Sequence, residues 1–215
     1  MHKQAEIKFD LVTNAQDSFD GAINLIAWKD NNSDKSSLKN ALLMLAHAIE
    51  LLLKERLRKS HPAFIWENVD KYPSLEAKTV SCGIALSRLK SISGLKFDEA
   101  DLKNLDSLIN TRNAIEHYEW NASVRETKTI LGVAMSFLID FAKNELNLDL
   151  TENHKNDDTW KCLIEELREF ADAHGKKLEK RMLDSGKQAD YCDYCGQFTL
   201  DPDGVGCNLC GHWMS

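Results

Sequence analysis

Apolar residues return at three- and four-residue steps along most of this 215-residue chain, and only three prolines interrupt them. That step is the helical period, and proline inside a helix removes a hydrogen bond and clashes with the preceding turn. The densest run lies at 36–59. Leu38, Leu42, Leu45, Ile49, Leu52 and Leu57 form one stripe, while Ala41, Ala46 and Ala48 keep the helix slim enough for close packing. Ten glycines and three prolines are too few for the tight turns of a β-rich chain. The expected fold class is all-α, a helical bundle.

Around that run the pattern predicts five more helices. Phe9, Val12, Phe19, Ile23 and Ile26 mark one at 11–28, with Thr13 and Gln16 as a capping box, followed by a polar turn at 29–34. Ser36 or Ser37 is expected to cap the 36–59 helix, and His61-Pro62 to stop it. Phe64, Ile65 and Trp66 then plug the end of the core. A third helix is expected at 74–92, with Cys82 as a small buried residue. A fourth begins near Asp98, and a fifth covers 123–146. A polar, acidic connector at 147–158 leads to a sixth, from Trp160 to Met182, with Gly175 as its weak point. This last helix is acidic at its start and basic at its end, the order that suits a helix dipole. Its basic end (Lys176, Lys177, Lys180, Arg181) is either solvated or a cationic surface beside the tail.

The hydrophobic share of 43% and charged share of 28% are those of an ordinary soluble globular protein. A net charge of −7 argues against a nonspecific duplex-DNA binder but leaves a local basic patch for RNA open. Residues 1–10 carry no apolar segment of the signal-peptide kind, and no run approaches 18 apolar residues, so no membrane span is expected. Four of the six cysteines fall in the last 24 residues as two CxxC pairs. That usage points to a metal site in a reducing compartment rather than a disulfide framework, and a cytoplasmic location is expected.

The tail is the most specific chemical signal. Cys192 and Cys195 form one CxxC pair and Cys207 and Cys210 another, and glycine follows the second cysteine of each, which permits the tight turn that aims backbone N–H groups at thiolates. Four thiolates at this spacing suit tetrahedral Zn²⁺ with no open position, so the expected metal is structural. The segment resembles a zinc ribbon, too short to fold without its ion. His212 could substitute as a ligand, and 201–204 forms the turn between the knuckles. The predicted organisation is a bundle over 1–150, an additional helix or linker over 151–187, and the ribbon over 188–215.

The candidate reacting groups lie in mid-chain, where Arg112, Asn113, Glu116 and His117 fall within six residues. On a helix, residues five apart lie about 140° apart, so Arg112 and His117 do not share a face, whereas Asn113 and His117 do, as do Arg112 and Glu116. The plainer reading is therefore structural: Arg112 pairs with Glu116, and His117 packs on or bonds to Asn113. The chemical reading is metal-independent RNA cleavage. A histidine moves protons near neutral pH, an arginine braces a phosphate as charge builds, and Asn113 orients the imidazole or meets the phosphate. One chain supplies one imidazole, so acid and base together want a homodimer. On the 36–59 helix, His47, Glu50 and Lys54 share a second face; either it is solvated, or His47 or Glu50 lines a cleft with the motif, which makes Glu50 a further catalytic candidate.

The order of these features resembles the HEPN superfamily of helical-bundle proteins. The matching parts are the helix with Ala48-Ile49-Glu50-Leu51-Leu52-Leu53-Lys54, the His61-Pro62 loop, and Arg112-Asn113-x-x-x-His117 between the last two bundle helices, together spanning roughly residues 5–147. The resemblance implies a dimer across the motif and RNase activity, in toxin–antitoxin, phage-defence or RNA-stress settings; some members are non-catalytic nucleotide-binding or scaffolding modules. One toxin branch carries a tyrosine two residues after the histidine, where an antitoxin adenylylates it. Here that position is Glu119 and the tyrosine is Tyr118, a departure from that mode of control.

The leading expectation is thus an endoribonuclease acting as a homodimer on RNA, with Arg112, Asn113, His117 and Glu50 at its site. The alternatives are a non-catalytic module that holds a protein partner through its zinc ribbon, and a ribbon-led nucleic-acid binder using the basic stretch 176–187.

Overall fold

A computed structural model describes residues 7–28, 34–154, 157–203 and 206–212. The polar turn expected at 29–34 falls mostly outside the described residues, as does Gly204. Seven α-helices precede a small sheet: α1 (Leu11–Ala27), α2 (Asp34–Ser60), α3 (Cys82–Ser91), α4 (Glu99–His117), α5 (Val124–Phe141), α6 (Asp158–Glu166) and α7 (Arg168–Asp184). The sheet is antiparallel in the order β1 (Asp190–Tyr191), β2 (Phe198–Asp201), β3 (Gly206–Cys207). The all-α expectation holds, with the strands confined to the tail.

The central element is α2. It packs against α1, α3, α4 and α5, and Leu42, Leu45, Ile49, Leu52, Leu53 and Leu57 are all fully buried along it. Contrary to the reading from uninterrupted apolar runs, α2 is long and apolar enough to cross a membrane by length and composition alone. Its burial among the other helices accounts for that apolarity. α6 rests on α1 and α7 on α5, and one hydrophobic cluster runs unbroken from Phe19 through Leu163 and Phe170 to the tail cysteines.

Several boundaries differ from the sequence reading, each for a local reason. The cap of α1 is Asp10, whose carboxylate accepts the Thr13 N–H at 2.8 Å; Gln16 instead donates to Asp20 and to the Leu150 carbonyl. α2 already begins at Asp34, so Ser36 and Ser37 lie inside its first turn. The third helix starts at Cys82, capped by Ser81, not at 74. Its would-be first two turns spend their backbone groups elsewhere: the Val80 N–H donates to the Ile65 carbonyl, the Glu67 N–H to the Lys78 carbonyl, and the Trp66 indole to the Ser74 carbonyl. Arg88 then binds the carbonyls of Phe64, Trp66 and Glu67. Ile65 and Trp66 join the core as expected, but Leu75 is exposed.

α5 opens with a full capping box, Ser123 with Glu126, and ends in a single π turn (Ala142–Leu146) closed by Asn147 at φ 55°. The predicted sixth helix is two helices, broken at Leu167 and not at Gly175. The break is made from the other side. Gly132 of α5 is so close that a Cβ there would lie 2.5 Å from the Phe170 nitrogen and 2.6 Å from the Glu169 carbonyl carbon. Lys128 of α5 donates to the Glu166 carbonyl at 2.7 Å, satisfying an acceptor that the end of α6 leaves free.

Candidate functional site

The four tail cysteines converge. Their Sγ atoms all lie within 4.8 Å of one another, and all four residues are buried. Cys192–Cys210 and Cys195–Cys207 are both 3.6 Å apart. That is too long for a disulfide, whose S–S bond is about 2.05 Å. It matches the edge of a tetrahedron of thiolates around an ion at about 2.3 Å, which is about 3.8 Å. The donor set therefore fits a tetrahedral metal ion.

The two knuckles are built alike. Gly196 (φ 74°) donates to the Cys192 carbonyl at 2.8 Å, and Gly211 (φ 72°) to the Cys207 carbonyl at 2.9 Å. The Cys192 N–H takes the Gln197 carbonyl, and the Cys207 N–H takes that of His212. A left-handed residue is needed at both glycines, which is why each CxxC pair is followed by one. Thr199, on β2, adds a hydroxyl 3.0 Å from the Cys207 sulfur. Hydrogen bonds from Cys195 and Cys210, and then this hydroxyl, hold the Cys207 thiol below its ordinary range, while the bond with Cys207 pushes the Cys195 thiol up. A bound cation would draw all four to thiolate. His212 is not among these donors; it stacks on Tyr194 at 5.4 Å.

This module is latched to the helices. The buried Trp160 indole donates to the Leu209 carbonyl at 2.8 Å, and Arg168 donates to the Cys195 carbonyl at 3.0 Å. Tyr194 bonds Glu165, Gln197 bonds Asp172, and Gly175 admits the Gln197 side chain. Neither Trp160 nor Arg168 stands out in sequence as part of the tail. The signal for Trp160 is that a buried indole must find an acceptor, and for Gly175 that a helical glycine marks a close approach.

The mid-chain motif forms the last turn of α4. Arg112 Nε pairs with Glu116 Oε2 at 2.8 Å, as the spacing predicts. Asn113 Oδ1 accepts from Arg112 at 3.2 Å, so its carbonyl is turned to the guanidinium rather than to His117. Glu116 also lies 3.9 Å from His117 Nε2, which places it between the guanidinium and the imidazole. The His117 side chain is 63% exposed, and the neighbouring Tyr118 is largely exposed as well. Arg112, Asn113, Glu116 and His117 are thus brought together at an open helix end, not in an enclosed pocket.

Glu50 is held otherwise. It pairs with the buried Lys54 at 2.6 Å, and Lys54 also donates to Thr79. His47 meets the buried Ser18 hydroxyl at 2.9 Å. Glu50 and Arg112 are both near enough to Cys82 to act on its thiol, which burial first, and then Glu50, pushes up to about 12. No protein family, curated protein or solved structure matches the chain, and no family match stands behind the HEPN likeness.

Proposed function

We propose that the protein is a metal-independent endoribonuclease that works as a homodimer, with a structural zinc ion in its four-cysteine centre. The observation that carries the reading is the gathering of Arg112, Asn113, Glu116 and His117 at one solvent-open helix end. His117 removes the proton from a ribose 2′-hydroxyl, whose oxygen attacks the adjacent phosphorus, and a cyclic phosphate forms as the 5′-oxygen leaves. Arg112 balances the charge that builds on the phosphate, and Glu116 positions the Arg112 guanidinium beside the His117 imidazole. A second imidazole, from another copy of the chain, protonates the leaving oxygen. Support for that copy comes from Tyr118, a large side chain left exposed beside His117 at the end of α4, which a second copy would cover. The zinc ion, saturated by four thiolates, orders the ribbon and leaves the reaction to the side chains of α4.

The test is incubation of purified protein with structured cellular RNA. Wild type cleaves it, and His117→Ala loses about 100-fold or more of the rate, the usual worth of a proton-transfer group. Intact RNA, or equal cutting by His117→Ala, overturns the reading. A second reading, a non-catalytic interaction module, is favoured by one observation: Arg112 is already neutralised within its own chain by Glu116. Growth and RNA integrity on expression of wild type against His117→Ala separate the two.

A further inference from the structure

The segment entering α4, the end of α5 and the C-terminal half of α7 enclose an open groove of about 790 Å³. This lies within the volume range of small-molecule sites. Phe97 and Phe141 line it as a parallel pair, 6.4 Å apart and 16° from coplanar, with Phe97 half-buried. Across from them stand Lys176 and Lys180, one helical turn apart on the same face of α7. Lys96 borders the groove from the α4 side.

The charge of this groove follows from which groups are already taken. Asp98 caps α4 through the Ala100 N–H. Asp101 pairs with Lys177, and Asp140 with Lys177 and Arg181. Glu145 pairs with Arg56. Lys96, Lys176 and Lys180 enter no ion pair among the described residues, and the lining carboxylates without an ion pair are Asp98 and Asp184. In a chain of net charge −7, Lys176 and Lys180 thus form a local positive edge in the same concavity that Phe97 lines. Asn144, exposed at the rim, adds an amide that both donates and accepts.

We propose that this groove binds a nucleotide unit. The base lies against Phe97 with its edge at Asn144, and the phosphates meet Lys176 and Lys180. Base–aromatic stacking and lysine–phosphate attraction are the two interactions such a ligand needs, and both are provided within one concavity. The site is separate from the Arg112–His117 cluster, because the two lie at opposite ends of α4, a 19-residue helix roughly 28 Å long. It stands whether or not the protein cleaves RNA.

Calorimetric titration of the whole zinc-loaded protein with ATP, inorganic triphosphate and a uridine oligoribonucleotide tests the proposal. ATP or the oligonucleotide binds, and inorganic triphosphate binds about tenfold more weakly, the loss expected without a stacked base. Tighter binding of ATP identifies a free nucleotide as the ligand; tighter binding of the oligonucleotide identifies a single strand. The exposed double substitution Lys176→Glu/Lys180→Glu weakens binding by about tenfold or more, as does Phe97→Ala, while Phe97→Leu preserves the packing and still loses the stack. His117→Ala binds ATP as the parent does. The proposal is overturned if neither ATP nor the oligonucleotide binds. It is equally overturned if triphosphate matches ATP and Phe97→Leu changes nothing, or if the His117 variant loses ATP binding.

Discussion

Two histidines show how burial divides roles between like residues. His117 is open to solvent at the end of α4, beside Glu116. His174 is buried on α7, stacked on Phe170 at 5.4 Å and 3.3 Å from the Ser136 hydroxyl. Burial, and then the charges of Arg181, Lys177 and Lys143, push it down from the ordinary 6.5 to about 3, although Asp140 lies 3.8 Å away. Its folded value is depressed, so the unfolded chain takes up the proton first as pH falls. The stability from neutral His174 is therefore full above pH 6.5 and is lost as pH drops towards 3. The slope approaches about 1.4 kcal/mol per pH unit. His174→Gln should flatten this limb in urea melts at stepped pH; an unchanged slope sinks the assignment. Glu50 shows the same logic for a pair. Removing its charge leaves the buried Lys54 ammonium short of a partner, so Glu50→Gln should cost about 1–3 kcal/mol in chemical denaturation. Were Glu50 instead a reacting group, the substitution would abolish cleavage at little cost in stability.

At the scale of elements, two glycines with the same helical backbone predict opposite outcomes. A Cβ on Gly132 meets the backbone of α7 at 2.5–2.6 Å, where nothing flexible can yield. Gly132→Ala should lower stability by about 1–3 kcal/mol and loosen the α5–α7 contact, read as a drop in melting temperature. Gly83, in the first turn of α3, has nothing within 4 Å. Gly83→Ala should gain up to about 1 kcal/mol, since alanine loses less backbone entropy in a helix. A Gly132 variant as stable as the parent would remove the explanation given for the break at Leu167.

For the whole molecule, the cysteine centre is continuous with the bundle core, so an ion held there would be coupled to the fold. Stripping the ion with a strong chelator should release the ribbon from α6 and α7, exposing Trp160, which is now 4% exposed. The expected signals are a red shift in tryptophan emission and a lower melting temperature, with most helical circular dichroism retained. Zinc should be released in a ratio of about one per chain, measured with a metal-sensitive dye. Chelation that leaves emission and melting unchanged would show the ribbon to be held by its side-chain contacts alone.

Much of this was legible in the residues, and the reason is locality. Helical period and caps act within a turn or two, so the all-α class, the Asp98 start of α4 and the Arg112–Glu116 pair could be read directly. Two CxxC-Gly repeats specify their own turns, so the metal site could be read as well. What could not be read depends on partners distant in the chain. The last helix breaks at Leu167, just before the Glu169–Phe170 backbone on which Gly132 packs, and residues 74–80 stay non-helical because residue 65 and its neighbours take their hydrogen bonds. The basic end of α7 and Phe97 are about 80 residues apart in sequence, and neither marks the other as a neighbour. The chain by itself determined helices, caps and the two CxxC-Gly turns, through contacts a few residues long. Only the tertiary structure decided where the helices end, how the ribbon docks and which charges remain unpaired, because packing brings those groups together from opposite ends of the sequence.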